Sequence, residues 1–292
     1  MTRSELLVYG ALCLIWSTTW LAIRVGVRYL PPFGFAGLRF LLATLILGAL
    51  LLARSPRSGY SALPWKSLVL TGLLQFGVSY GIVFWAEQEI TAGFASISFA
   101  CIPLFVAILA QLMLHEHLDS RKLAGIGLGI AGMVFLFSGR VGGMGERVLP
   151  RVAMLVAAMA SAIANVLVQR DQRHISMRIA ITVQMIIGTI CLLGMSLVVD
   201  RGREYTWNLS AIVSLLFLSV FGSAIAFMLY YWLLHRATAV KATTIGLVAP
   251  VLTVIQGHFF LDESLGWNHL VGGAMILIGS ALVVMSPAAR KA

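Results

Sequence analysis

Long apolar runs separated by short polar joints fill this chain from end to end, without the period-2 alternation of half-buried strands. A helix of about 20 apolar residues crosses a bilayer. Ten stretches come near that length: 6–26, 33–53, 67–86, 92–114, 121–138, 149–169, 178–199, 208–234, 241–261 and 267–286. In lipid only helices and closed barrels satisfy their own backbone, so continuous runs predict transmembrane helices. The joints carry turn chemistry: Pro31-Pro32, Arg54 to Arg57 around Pro56, Gly142-Gly143, and Asp200 to Arg203 around Gly202.

The pattern reads twice. At an offset of 147 residues Pro103 falls on Pro250, Glu116 on Glu263, Leu118 on Leu265, Leu123 on Leu270, Gly125 on Gly272 and Gly132 on Gly279. Trp85 likewise falls on Trp232, with Tyr80 over Phe227 and Phe84 over Tyr231. Each copy holds five predicted helices, and an odd number makes the copies enter the membrane in opposite senses. The expected fold is an all-α integral membrane protein of ten transmembrane helices. They form two inverted five-helix repeats, 1–140 and 141–292, around a central cavity. Pro103 and Pro250 then fall near mid-depth in helices 4 and 9. Each removes a backbone donor there, which marks the pair as candidate hinges.

Composition strengthens the membrane reading. Hydrophobic residues make up 60% and charged residues 11% of the 292, with a mean hydropathy of +0.94; a soluble domain carries roughly a quarter charged residues. The net charge of +10 lies in short clusters between apolar runs. That pattern suits anionic lipid headgroups and gives no basic-aromatic surface for nucleic acid. Thirteen of the 21 Lys and Arg residues fall on one side and seven on the other, with Arg39 inside helix 2. The bias predicts a multi-pass protein of the cell inner membrane with both termini cytoplasmic. The first apolar run carries Trp16-Ser17-Thr18-Thr19-Trp20 at its centre and no cleavage-site pattern, so it reads as a membrane helix rather than a signal peptide.

Chemistry is clearest by omission. All eleven Asp and Glu residues fall at predicted helix ends or in loops, whereas ion-coupled pumps commonly place a carboxylate mid-span. The expectation is uncoupled or exchange transport of a substrate with little net charge. The mid-helix polar residues are neutral. Trp16, Ser17, Gln75, Ser79, Tyr80, Ser98, Asn165, Tyr231 and Thr244 are the candidate substrate-binding set. Trp16, Tyr80 and Tyr231 suit an apolar moiety, while Gln75, Ser79 and Asn165 suit polar ends. Ser161, Asn165 and Gln169 share one stripe of helix 6, and Trp20, Tyr230, Gln111 and His258 lie on other predicted spans. Arg39 reads as an anchor near the outer headgroups or a structural partner of a carboxylate, with a direct clamp on a substrate carboxylate as the alternative.

His115-Glu116-His117 is not the HExxH arrangement that binds zinc, and its repeat copy Asp262-Glu263-Ser264 keeps only the glutamate. Glu116 and Glu263 are therefore expected to share a helix-terminating role, and no metal or other cofactor is expected. Cys13, Cys101 and Cys191 lie singly within apolar runs and read as packing residues. Gly125-x3-Gly129 reads as intramolecular helix packing, so a monomer is favoured. A membrane-embedded enzyme would need a nucleophile with a base, a metal set or paired acids, and none of these constellations stands out.

Together these residues resemble the drug/metabolite transporter superfamily, in particular its EamA-type branch of ten-helix exporters, over essentially the full length. The matching pieces are Ile15-Trp16-Ser17, Leu38-Arg39-Phe40, and the twice-used proline, glutamate and Leu-x4-Leu-x-Gly pattern. Within the branch the chain resembles most the YddG-type exporters of aromatic and other neutral amino acids. The resemblance implies inverted five-helix repeats, a cavity lined mainly by helices 1, 3, 4, 6, 8 and 9, and alternating access. Many members carry glutamate just before the helix-9 proline, whereas Ala249 precedes Pro250 and Ile102 precedes Pro103 here. A coupling role for that carboxylate does not carry over. Drug or other metabolite efflux coupled to protons is the alternative.

Overall fold

The computed structural model describes residues 2–53, 63–138, 148–234, 236, 244–264 and 266–286, apart from the side chains of Leu52, Tyr231 and Leu234. They form helices joined by short turns and loops, with no strand among them. The helices are α1 (Arg3–Gly26), α2 (Pro32–Ala53), α3 (Trp65–Ala86), α4 (Ala92–Leu114), α5 (Ser120–Ser138), α6 (Val148–Asp171), α7 (Met177–Val199), α8 (from Leu209 through Ala226–Leu234), α9 (Ile245–Leu261) and α10 (Trp267–Val284). Among the described residues nine are long and apolar enough to cross a membrane, and α9 is a shorter apolar helix. Residues 241–243, where the hydropathy pattern would begin α9, lie outside the described set.

Local chemistry explains several ends. Thr2 and Glu5 form a reciprocal capping box on α1. Thr91 accepts the Phe94 N–H at the start of α4, and Asn208 accepts the Ala211 N–H at the start of α8. The two glutamates shared by the halves follow the same turn. His115 (φ 55°) and Asp262 (φ 53°) stand left-handed after α4 and α9. Glu116 N–H then bonds Ala110 O at 3.2 Å, and Glu263 N–H bonds Gly257 O at 3.1 Å. The N–H groups of His115 and Asp262 bond the same two carbonyls, so each helix C-terminus is closed by the left-handed residue and the glutamate after it, the terminating role the repeat pattern implied.

The helices are not uniform. In α3, Leu73–Ser79 is π-helical, and in α8 Phe217–Ile225 is π-helical. The widened turns redirect side chains, a device frequent at functional sites. The two prolines also differ. α4 divides into Ala92–Phe99 and Ile102–Leu114, and Pro103 opens the second piece, where its missing N–H has no helical partner to lose. The Ala100 carbonyl at the break accepts the Ser280 hydroxyl at 2.7 Å. Pro250 instead lies inside continuous α9, beside Thr253, whose hydroxyl donates to Ala249 O and Ser17 O.

Packing pairs α2 with α7, α5 with α10, α1 with α9, and α4 with α6. Phe35, Phe40, Phe76, Phe84 and Met154 fill the interior. Leu197, Val198, Leu209, Phe259 and Phe260 project outward, an apolar exterior suited to lipid and costly in water. Glycines bring α5 and α10 into backbone contact. A methyl group on Gly279 would lie 2.5 Å from Gly125 O, and one on Gly272 would lie 2.8 Å from Gly132 O. Gly125-x3-Gly129 thus packs within the molecule: Gly129 N also lies 2.8 Å from a methyl on Gly279.

Candidate functional site

A cavity of about 770 Å³ runs between the helices and reaches Glu116, Lys122 and Gln169, at the end of the bundle where α4 joins α5 and α6 joins α7. Of the sequence candidates, Trp16, Gln75, Tyr80, Asn165, Pro103 and Pro250 line it. So do Ser161 and Gln169, completing the α6 stripe with Asn165. Other candidates sit behind the wall. Ser79 is buried and shares a 2.8 Å hydrogen bond with Ser161. The Ser17 hydroxyl donates to Leu14 O and that of Ser98 to Phe94 O, so both serve their own helices. Thr244 bonds the Tyr9 hydroxyl at 3.1 Å. The Tyr231 side chain lies outside the described set. His258 and Gln111 face outward, Gln111 accepting the Leu118 N–H.

The wall is aromatic. Trp16 meets Tyr230 at 5.3 Å between ring centroids and Phe227 at 6.3 Å, Trp20 meets Phe99 at 5.2 Å, and Phe76 stacks on Tyr80 at 5.9 Å. Sequence reasoning left Phe76, Phe99, Phe227 and Gln184 unassigned. Aromatic and aliphatic residues at helical spacing look alike in a sequence whether they face lipid, core or cavity. Gln184 opens a polar relay near the open end: it donates to Gln172 Oε1 at 2.9 Å, and Gln172 donates to Ser67 and Thr71, each at 3.0 Å.

The opposite end is sealed by bonds between the joints. Glu263, buried, accepts Ala92 N–H at 2.8 Å and Gly93 N–H at 3.1 Å, capping the start of α4 from the α9–α10 joint. Arg24 donates to the Glu87 carbonyl, and Arg203 to Gln88 Oε1 at 2.8 Å. Asp200 accepts Gly34 N–H at 2.8 Å and the Ser196 hydroxyl at 2.9 Å, while Thr206 N–H bonds Tyr29 O.

Two charged residues depart from expectation. Glu87, just past α3, is fully buried, and neither carboxylate oxygen has a hydrogen-bond partner among the described residues. Burial, then the nearby Glu263, raises its pKa well above the ordinary carboxylate value, against the opposing pull of Arg24 and Arg39. Arg39 turns into the bundle and bonds no carboxylate among the described residues. It is 2% exposed, lies in the cavity wall, and donates from Nε to Ser223 Oγ at 3.1 Å. The π-helical turn of α8 supplies that serine. Packing by α3 and α8 draws the guanidinium inward over aromatic rings, which is why it does not extend along its own helix to the interface.

An apolar exterior, membrane-length helices and an interior cavity open at one end define a multi-pass membrane protein of the transporter class. The chain belongs to the EamA-like transporter family, whose profile matches residues 4–138 and again 150–285. It is 28% identical to the uncharacterized transporter YoaV of Bacillus subtilis, over 95% of this chain and 96% of that one. It is 30% identical to the uncharacterized inner membrane transporter YedA of Escherichia coli, over 97% and 92% respectively. A crystal structure of another protein aligns at a TM-score of 0.65, covering 97% of this chain and 96% of its own at 22% identity, a likeness of fold alone.

Proposed function

We propose that this transporter exports neutral or aromatic amino acids, or similar small metabolites, across the cell inner membrane by alternating access. The observation that carries the reading is the aromatic cavity, wide enough for a small metabolite, reachable from one end and sealed at the other. The open end is the cytoplasmic one, with both termini beside it, and the substrate enters from there. Trp16, Tyr80 and Tyr231 take the apolar part of the ligand. Gln75 and Asn165 meet its polar ends, Ser79 holds Ser161 in the wall, and Ser17, Ser98 and Thr244 shape the helices around it. Pro103 and Pro250 serve as hinges when the open and sealed ends exchange.

The architecture proposed is two inverted five-helix repeats, 1–140 and 141–292, in a monomer. Two features support it: the left-handed caps at His115 and Asp262, and the crossed contacts of Gly125 with Gly279 and Gly132 with Gly272. A twofold axis that exchanges residues at the 147 offset turns one contact into the other.

Transport is uncoupled or an exchange in this reading. Proton-coupled efflux of drugs or other metabolites is the second reading, and buried Glu87 is the observation that favours it. Liposomes holding the purified protein and given labelled threonine, methionine or phenylalanine test both. Saturable flux that is indifferent to a pH gradient is expected. Flux that requires the gradient would replace the uncoupled mechanism, and no flux of any of the three from folded protein would remove amino acids as the substrate.

A further inference from the structure

Arg39 and Lys122 are the two basic residues in the cavity wall among the described residues. Lys122 stands at the open end with Glu116. Arg39 stands deeper, toward the seal, where its guanidinium lies over Phe40 at 4.9 Å, Tyr80 at 5.2 Å and Phe84 at 5.8 Å. Those rings and Ser223 fix its position. Its Nη1 is buried with no hydrogen-bond partner among the described residues. A guanidinium carries five donors in a rigid fork, and a buried donor left unpaired is unfavourable. Glu87 acts on it through space, but the Glu87 oxygens accept no hydrogen bond among the described residues. A cavity with a fixed, undersatisfied fork at its inner end and aromatic rings along its walls suits a ligand with an anionic head and an apolar body.

Resting on the reading of this cavity as the substrate chamber, we infer that Arg39 anchors the carboxylate of the transported ligand at the sealed end. The substrate class is then small carboxylates, neutral amino acids among them, and the free carboxylate rather than the amino group is the required feature. Bound there, the carboxylate accepts hydrogen bonds from the guanidinium while Trp16, Phe76 and Tyr230 cover the remainder.

Isothermal titration of the purified full-length chain with phenylalanine, 3-phenylpropionate and phenylalaninol tests this, since the second lacks the amine and the third lacks the carboxylate. Phenylalanine and 3-phenylpropionate are expected to bind at least tenfold tighter than phenylalaninol. Arg39→Met should erase that preference, and Arg39→Lys should retain part of it. The wild-type comparison decides the matter even if a variant fails to fold. Equal binding of phenylalaninol and phenylalanine would overturn the anchor and leave amino-acid transport standing. A carboxylate preference that survives in folded Arg39→Met would also overturn it. Binding of none of the three would overturn the anchor and the proposed substrate together.

Discussion

Glu87 shows how position in a sequence and position in a structure part company. Every acidic residue falls at a helix end or a joint in the sequence, and Glu87 does follow the last residue of α3. Yet the joints close over it, and it loses water entirely. The sign of the consequence is fixed. Because its folded pKa lies above the ordinary 4.5, the folded state holds the proton more tightly than the unfolded chain. The fold loses no stability to ionisation of Glu87 below about pH 4.5 and loses progressively as pH rises through the folded value. Glu87→Gln removes that slope. In detergent the variant should melt above the wild type at pH 7.5, by roughly 2–4 °C per kcal/mol gained, and level with it at pH 4.5. An equal margin at both pH values would mean that ionisation is not the cause. Arg39 teaches the same lesson: its charge and depth are legible, but Tyr80, Phe84 and Ser223 around its guanidinium come from α3 and from α8, far along the chain.

At the scale of elements the hydropathy pattern specifies most of the architecture. Nine predicted stretches agree with observed helices to within three residues at each end, because the bilayer thickness and the helix rise set the length independently of tertiary contacts. The π-helical turns and the break in α4 are invisible in that pattern. They depend on partners elsewhere, as when Ser280 on α10 satisfies Ala100 O at the break. The repeated glycines are a middle case. Their spacing is plain in the sequence, but their meeting across α5 and α10 is a tertiary fact. It yields a paired prediction. An added methyl at Gly279 meets backbone at 2.5 Å and 2.8 Å, whereas at Gly127 it meets nothing within 4 Å. Gly279→Ala should destabilise the protein by about 1–3 kcal/mol, and Gly127→Ala should stabilise it by up to about 1 kcal/mol through helix propensity. Thermal melting of the two variants side by side checks this, and a Gly279→Ala variant as stable as the wild type would refute the close crossing.

For the molecule as a whole the question is what keeps one end shut while the other is open. Glu263 ties two joints of the seal together: one carboxylate from the α9–α10 joint takes two backbone N–H groups at the start of α4. Hydrogen bonds to a charged acceptor contribute about 1.5–3 kcal/mol each, and every 1.4 kcal/mol moves a conformational equilibrium tenfold. Removing this carboxylate should therefore populate the form open at the sealed end, provided that alternating access is the mechanism. Ser96, on α4 one turn in from the capped end, lines the cavity and makes a reporter. In a background with Cys13, Cys101 and Cys191 replaced by serine, Ser96→Cys should react slowly with a membrane-impermeant maleimide added from the side of the 87–91 joint. Adding Glu263→Ala should quicken that reaction by about tenfold or more, and Glu263→Gln, which keeps one acceptor oxygen, should quicken it less. An unchanged rate in both variants, with the protein monodisperse, would place the seal in the Asp200 and Arg203 contacts rather than in Glu263.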